Sequence, residues 1–233
     1  MRIILIIYRS NKKYSNMRYT EEIVLKAADD AYKMGDVKYD IKPDNCSLIV
    51  IDMQDEFVKP EWTSSWIPEA TRQVPKIKRL IDHCRKKNIP VIYTAFKNTH
   101  AFKDRPKTGE LMPNRYPQLG SDPMWFKNGE IWHEIIPKEN EIVIYKPSYG
   151  AFYDTPLETI LRNLGKDTII ICGTLTNYCC GTTARQGYER GFKVIFGSDI
   201  TSTDKLEMQE PELQVLRKGF AKVMESDKII ESL

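Results

Sequence analysis

The stretch Ile169 to Arg185, I-I-I-C-G-T-L-T-N-Y-C-C-G-T-T-A-R, decides the fold. An apolar run stops at Gly173, turns, and restarts as a helix with the thiols of Cys179 and Cys180 in its first turn. A strand that passes through a tight turn into a helix is the repeating unit of a parallel α/β sheet. The connection places the first helical side chains at the mouth of the sheet, where free backbone N–H groups and the positive end of the helix dipole favour thiolate over thiol. A buried structural cysteine is the competing reading, because free Cys is among the most buried residue types.

Two further segments bear on that choice. Ser47 to Phe57 reads S-L-I-V-I-D-M-Q-D-E-F, an apolar run that leads directly into Asp52. A buried parallel strand ending on a carboxylate puts that carboxylate at the sheet's C-terminal edge. Ile142 to Phe152 reads I-V-I-Y-K-P-S-Y-G-A-F, a short strand that ends on Lys146. Taken singly, Asp52 reads as a helix cap and Lys146 as a solvated lysine. Together, three strands deliver a carboxylate, an ammonium and a thiol to the edge where open α/β sheets keep their active sites.

Working outward, strands and helices alternate from Asp44 onward, which implies one α/β domain with a parallel sheet. Strands are expected at Ser47–Ile51, Val91–Ala95, Ile142–Lys146, Thr168–Cys172, Lys193–Phe196 and Ala221–Met224. Ile77, Leu80, Ile81 and Cys84 mark the inner face of the first helix of the repeat. Thr155-Pro156-Leu157-Glu158 predicts a helix start with Thr155 as N-cap and Glu158 closing a capping box, and Gly165 ends that helix. The helix carrying the thiols is expected from Asn177 to Arg190, capped by Thr176 and Asn177 and stopped at Gly191. Phe96 to Lys138 shows no clear period. Such a long stretch inside a domain reads as a functional loop or lid, and its Trp125, Phe126 and Trp132 suit a pocket lining or a subunit contact equally. Residues 1–41 form a polar extension with a weak helical pattern at Ile23, Ala27, Ala31 and Met34, and residues 42–233 form the domain.

A chain of 233 residues, 41% apolar, suits a single domain with a sizeable core. The formal charge is only +3 and the signs alternate along the chain, so nothing points to a nucleic-acid partner. The cluster Lys76, Lys78, Arg79, Arg85, Lys86 and Lys87 reads as the solvated face of a helix. No apolar stretch approaches the roughly 18 residues of a membrane span, so no membrane partner is expected. The N-terminal M-R-I-I-L-I-I-Y imitates a secretion signal, but its apolar core is shorter than the roughly 7 to 15 residues such a signal needs. Five cysteines at spacings of neither a zinc module nor a disulfide framework imply reduced thiols and a cytoplasmic location.

V-I-D-M-Q-D-E-F, K-P-S-Y-G-A-F and C-G-T-L-T-N-Y-C-C-G-T-T-A-R, in this order and at these separations, resemble the isochorismatase-like cysteine hydrolase family from about Lys42 to the C-terminus. The resemblance implies a three-layer α/β/α fold around a mostly parallel six-stranded sheet of Rossmann-like type. It implies Asp52, Lys146 and Cys179 as the catalytic set and a cis peptide between Thr174 and Leu175 that shapes an oxyanion hole. It also implies a small-molecule substrate and a homo-oligomer, dimer or tetramer. Within the family the chain looks more like the carbamoyl-type amidohydrolases, which act on N-carbamoylsarcosine, ureidoacrylate or biuret, than like the nicotinamidases. Nicotinamidase-like members carry an aspartate and histidines after the second strand as metal ligands. Here that stretch is Y-T-A-F-K-N-T-H-A-F, in which His100 is the only histidine, and a zinc or iron site needs three or four ligands. No metal or other cofactor is therefore expected. Members that cleave isochorismate's vinyl ether lack the nucleophilic cysteine, and this chain keeps it. A carbonyl substrate follows.

None of His83, His100 and His133 adjoins these motifs, and His83 reads as a surface residue. Asp52 is thus the expected base, Cys179 the nucleophile, and the backbone N–H groups of Leu175 and Cys179 the oxyanion donors. Adjacent helical positions diverge by about 100°, so only one of Cys179 and Cys180 can face Asp52. The family match selects Cys179. Gln54, Phe57, Tyr149, Thr174 and Tyr178 are the candidate substrate contacts, with ordinary packing as the alternative for each aromatic.

Overall fold

Six strands, β1 (Cys46–Ile51), β2 (Val91–Phe96), β3 (Ile142–Lys146), β4 (Thr168–Thr174), β5 (Lys193–Ser202) and β6 (Lys222–Met224), form one sheet in the order β3-β2-β1-β4-β5-β6. Every pairing is parallel. The computed structural model describes residues 19–34, 37–97, 100, 103, 104, 106 and 129–233. Trp125 and Phe126 lie outside them, as does most of the expected loop. β1 and β4 are buried at every residue, as central strands covered on both faces must be. β3 lies at the edge and leaves Ile142 and Tyr145 exposed.

Helices cover both faces. α3 (Pro68–Lys86), which follows the short α2 (Asp55–Val58), packs on β5, β4 and β2 with Val74, Ile77, Leu80, Ile81 and Cys84 turned inward. α7 (Ser226–Ser232) lies beside it. The opposite layer holds α4 (Leu157–Asn163), α5 (Gly181–Glu189) and α6 (Gln209–Gly219). Arg162 of α4 joins that layer to the end of α5 by donating to the Arg190 carbonyl at 2.7 Å. After β1 the chain winds one way to β2 and β3, then crosses back to place β4 on the other side of β1. The crevice between β1 and β4 is the topological switch point, where such sheets bind ligands.

Several local expectations are corrected. The extension does form a helix, α1 (Glu21–Met34), which packs on α6, but Ile23 and Ala27 stay exposed while Ala28 and Ala31 are half-buried. Tyr39 and Ile41 are partly buried against the core. Thr155 accepts the Leu157 N–H at 3.3 Å, yet Glu158 closes no capping box. Its carboxylate pairs with Arg162 at 3.4 Å and Arg190 at 3.2 Å, stronger partners than a backbone N–H. β5 continues six residues beyond Phe196 through an irregularity in its pairing with β4. Gly197 and the polar Ser198 and Asp199 break the apolar run and hide that continuation from a periodicity reading. Arg85 is not a solvated member of the basic cluster, because Glu141 holds it at 2.8 Å.

Candidate active site

Asp52 is the first residue beyond β1. Its φ of 51° lies in the left-handed region, which Asp tolerates better than most residues, and the chain leaves the sheet there. Directly across, Gly173 of β4 has a φ of +117°, and a Cβ at that position would stand 2.0 Å from the Ile51 carbonyl oxygen. Only glycine lets the two backbones approach this closely. β4 then ends in a cis Thr174–Leu175 peptide bond. A π-helical turn over Thr176–Cys180 follows and runs into α5. One-turn π segments recur at functional sites because the extra residue re-aims the side chains around it.

These connections bring Asp52, Lys146 and Cys179 together. The Lys146 Nζ lies 2.7 Å from Asp52 Oδ2, donates to the Ser148 carbonyl at 3.0 Å, and sits 3.6 Å from the centroid of the Phe96 ring. Asp52 and Lys146 are fully buried and Cys179 is 2% exposed. Asp52 and Lys146 both act electrostatically on the Cys179 thiol. Cys180 is fully buried and feels Asp52 and Lys146 only as charges through space.

Burial pushes the Cys179 thiol well above its ordinary pKa, the Asp52 carboxylate pushes the same way, and Lys146 opposes both. The resting group is therefore a thiol. Desolvation is the largest influence on this thiol and works against the thiolate that a helix start favours. A neutral thiol beside a buried carboxylate needs that carboxylate to take its proton.

The other candidates divide. Leu175 and Thr174 are buried at the turn, and the Thr174 hydroxyl donates to the Ser202 carbonyl at 3.3 Å. Tyr149 and Tyr178 stack at 5.4 Å, and Tyr149 meets Phe96 edge-on at 6.3 Å, so an aromatic wall adjoins the ion pair. Tyr178 is 38% exposed and forms the outer end of that wall. Gln54 turns inward instead: its carboxamide accepts from the Phe96 N–H at 2.8 Å and donates to the Phe96 carbonyl at 3.1 Å and to Glu56 at 2.9 Å. Its polar atoms are engaged in joining the ends of β1 and β2. Phe57 is buried in the core.

Thr176 and Asn177 are not caps. The Thr176 hydroxyl donates to Gln209 at 2.8 Å, and Asn177 accepts from Thr203 at 3.0 Å, because tertiary partners from the β5–α6 connection reach them first. His83 is half-buried, with its Nε2 buried and lacking a hydrogen-bond partner, so it is not a plain surface residue. Burial, reinforced by Lys87 and Lys86, holds its pKa below the usual value.

Two threonines went unread in the sequence. Thr94 donates to Asp52 Oδ1 at 2.8 Å. Thr183, one turn beyond the thiol, donates to the Cys179 carbonyl at 2.6 Å and accepts the Ala151 N–H at 2.9 Å. It ties the loop after Lys146 to the helix carrying the thiol. A threonine in a strand or helix gives no signal of such a partner; only the T-T-A-R spacing places Thr183 four residues after Cys179.

Among the described residues, no three His, Cys, Asp or Glu side chains cluster as metal ligands would.

The Isochorismatase domain model matches residues 46–228. The chain is 34% identical to Nicotinamidase 3 of Arabidopsis thaliana over 190 residues, covering 80% of this chain and 88% of that protein. Similar solved structures include a cysteine hydrolase from Pseudomonas syringae pv. phaseolicola, 28% identical with a TM-score of 0.74, covering 84% of this chain and 95% of that one. N-carbamoylsarcosine amidase from Thermoplasma acidophilum is 27% identical with a TM-score of 0.62, covering 78% and 97%. With the all-parallel sheet, the match over most of the chain places this protein in the isochorismatase family of hydrolases.

Proposed function

We propose that this hydrolase is a cysteine-dependent amidohydrolase that cleaves a C–N bond of a small carbamoyl, ureido or amide compound through a thioester. The observation that carries the reading is the fully buried Asp52–Lys146 pair, 2.7 Å apart, with the buried Cys179 thiol under the influence of both charges. Asp52 takes the Cys179 proton as sulfur attacks the carbonyl carbon. The tetrahedral oxyanion rests on the backbone N–H groups of Leu175 and Cys179, a kind of stabilisation worth roughly 3 kcal/mol per donor. Asp52 returns the proton to the nitrogen, the C–N bond breaks, and ammonia or an amine leaves. Water, deprotonated by Asp52, then hydrolyses the thioester and restores the thiol.

Lys146 balances the charge on Asp52 and on the sulfur as the proton moves. The five cysteines are all free thiols, which suits a reducing compartment such as the cytoplasm.

A nicotinamidase-like amidase is the second reading, favoured by the 34% identity to Nicotinamidase 3. Ammonia release measured across N-carbamoyl amino acids, biuret, ureidoacrylate, aliphatic amides and nicotinamide separates the two. Turnover confined to the ureido compounds supports the carbamoyl assignment, and turnover confined to nicotinamide replaces it. If no compound releases ammonia faster than with Cys179→Ala, the amidohydrolase reading fails.

A further inference from the structure

Thr94 lies in V-I-Y-T-A-F, where nothing marks it as special. In the fold it pairs in register with Ile51, the residue before Asp52, and it is fully buried. Its carbonyl accepts the Asp52 N–H at 3.0 Å, and its hydroxyl donates to Asp52 Oδ1 at 2.8 Å. The second carboxylate oxygen, Oδ2, is held by Lys146. Oδ2 has only the ion pair and no hydrogen bond, so the bond from Thr94 to Oδ1 is the directional restraint on the carboxylate's torsions. Threonine suits the task, because its branched Cβ leaves little freedom at χ1 in a strand.

We infer that Thr94 is the positioning residue for the base. It holds the Asp52 carboxylate in the orientation from which one group serves the Cys179 thiol and later the water that cleaves the thioester. The inference rests on the roles proposed for Asp52 and Cys179. It goes beyond them by assigning function to the hydroxyl of Thr94 rather than to its packing volume. Thr94→Val keeps the volume and deletes the donor, and Thr94→Ser keeps the donor.

The full-length protein is mixed with 4-nitrophenyl acetate, whose nitrophenolate burst counts acylated Cys179 and whose steady rate reports deacylation by water. Thr94→Val is expected to keep the burst and the KM while its steady kcat falls about ten-fold, the loss typical of a hydrogen bond to a charged group. Thr94→Ser is expected to recover most of the rate. A wild-type rate in Thr94→Val, or a rate in Thr94→Ser as low as in Thr94→Val, overturns the assignment. Should Thr94→Val not fold, as judged by its melting curve, Thr94→Ala is read in its place.

Asp52→Asn in the same assay tells the two levels apart. If Asp52→Asn is slow while Thr94→Val is normal, only the Thr94 assignment falls. If Asp52→Asn deacylates like the wild type, or the wild type shows no burst, the roles of the base or the nucleophile have failed and the inference falls with them.

Discussion

Lys146 is two strands away from Asp52 in the sheet, yet its Nζ lies 2.7 Å from Asp52 Oδ2. Two strand spacings amount to about 10 Å between backbones. A long unbranched stem running past the Phe96 ring spans that gap, and both charged heads end up fully buried. Removing one partner of such a pair strands the other, typically at about 3–5 kcal/mol. Activity losses in single mutants must therefore be read beside a melting curve.

The same pair sets the reactivity of Cys179 from opposite sides. Asp52 pushes the thiol pKa up and Lys146 pulls it down. Lys146→Met is thus expected to move the pH profile of iodoacetamide alkylation to higher pH, with Lys146→Arg restoring part of the shift. Asp52→Asn is expected to move it to lower pH while nearly abolishing turnover, because Asn cannot carry a proton away. Shifts in the same direction in Lys146→Met and Asp52→Asn would remove the charge-balance account.

Cys179 and Cys180 are adjacent, and the proposed nucleophile is Cys179. Cys179→Ala should lower turnover by about a thousand-fold or more with the fold intact. Cys180→Ala should keep most of its activity, since that side chain is core packing. One equivalent of iodoacetamide, followed by peptide mass spectrometry, should label Cys179 before the others. Equal activity loss in the two alanine variants would reverse the assignment.

Prolonged dialysis against a strong chelator is expected to leave the rate unchanged, because the proposed reaction uses only side chains and water. Loss of activity that returns with zinc, iron or manganese would instead favour the nicotinamidase-like reading.

Asp199 governs acid stability in the β5 segment that sequence periodicity did not reveal. It accepts the Ser226 N–H at 2.7 Å at the start of α7 and pairs with Lys76 at 2.9 Å. Burial alone would raise its pKa, but the bonds from Lys76 and Ser226 outweigh it and hold the group below the usual carboxylate value. A depressed folded-state pKa means stability that is present above the unfolded pKa and lost as pH falls through the folded one. Asp199→Asn should therefore cost about 1 kcal/mol at pH 7, and the gap to the wild type should close toward pH 3. Chemical denaturation across that range checks it; a constant gap would sink the linkage.

What the sequence determined by itself were the elements and the ends of three strands. Uninterrupted apolar runs in β1 and β4, each stopped by Asp52 or Gly173, are a local record of burial on both faces. The C-terminal edge of a parallel sheet turns that record into a shared location for Asp52, Lys146 and Cys179. Glycines at 165 and 191 ended their helices where expected, because a positive φ is a local demand. Tertiary structure decided what depends on partners remote in the chain. It moved Glu158 from a cap to two arginines and turned Gln54 into the protein. It also set Thr94 against Asp52, 42 residues earlier. A hydroxyl or carboxamide carries no mark of the partner it will meet, since that partner exists only once the strands have been laid side by side.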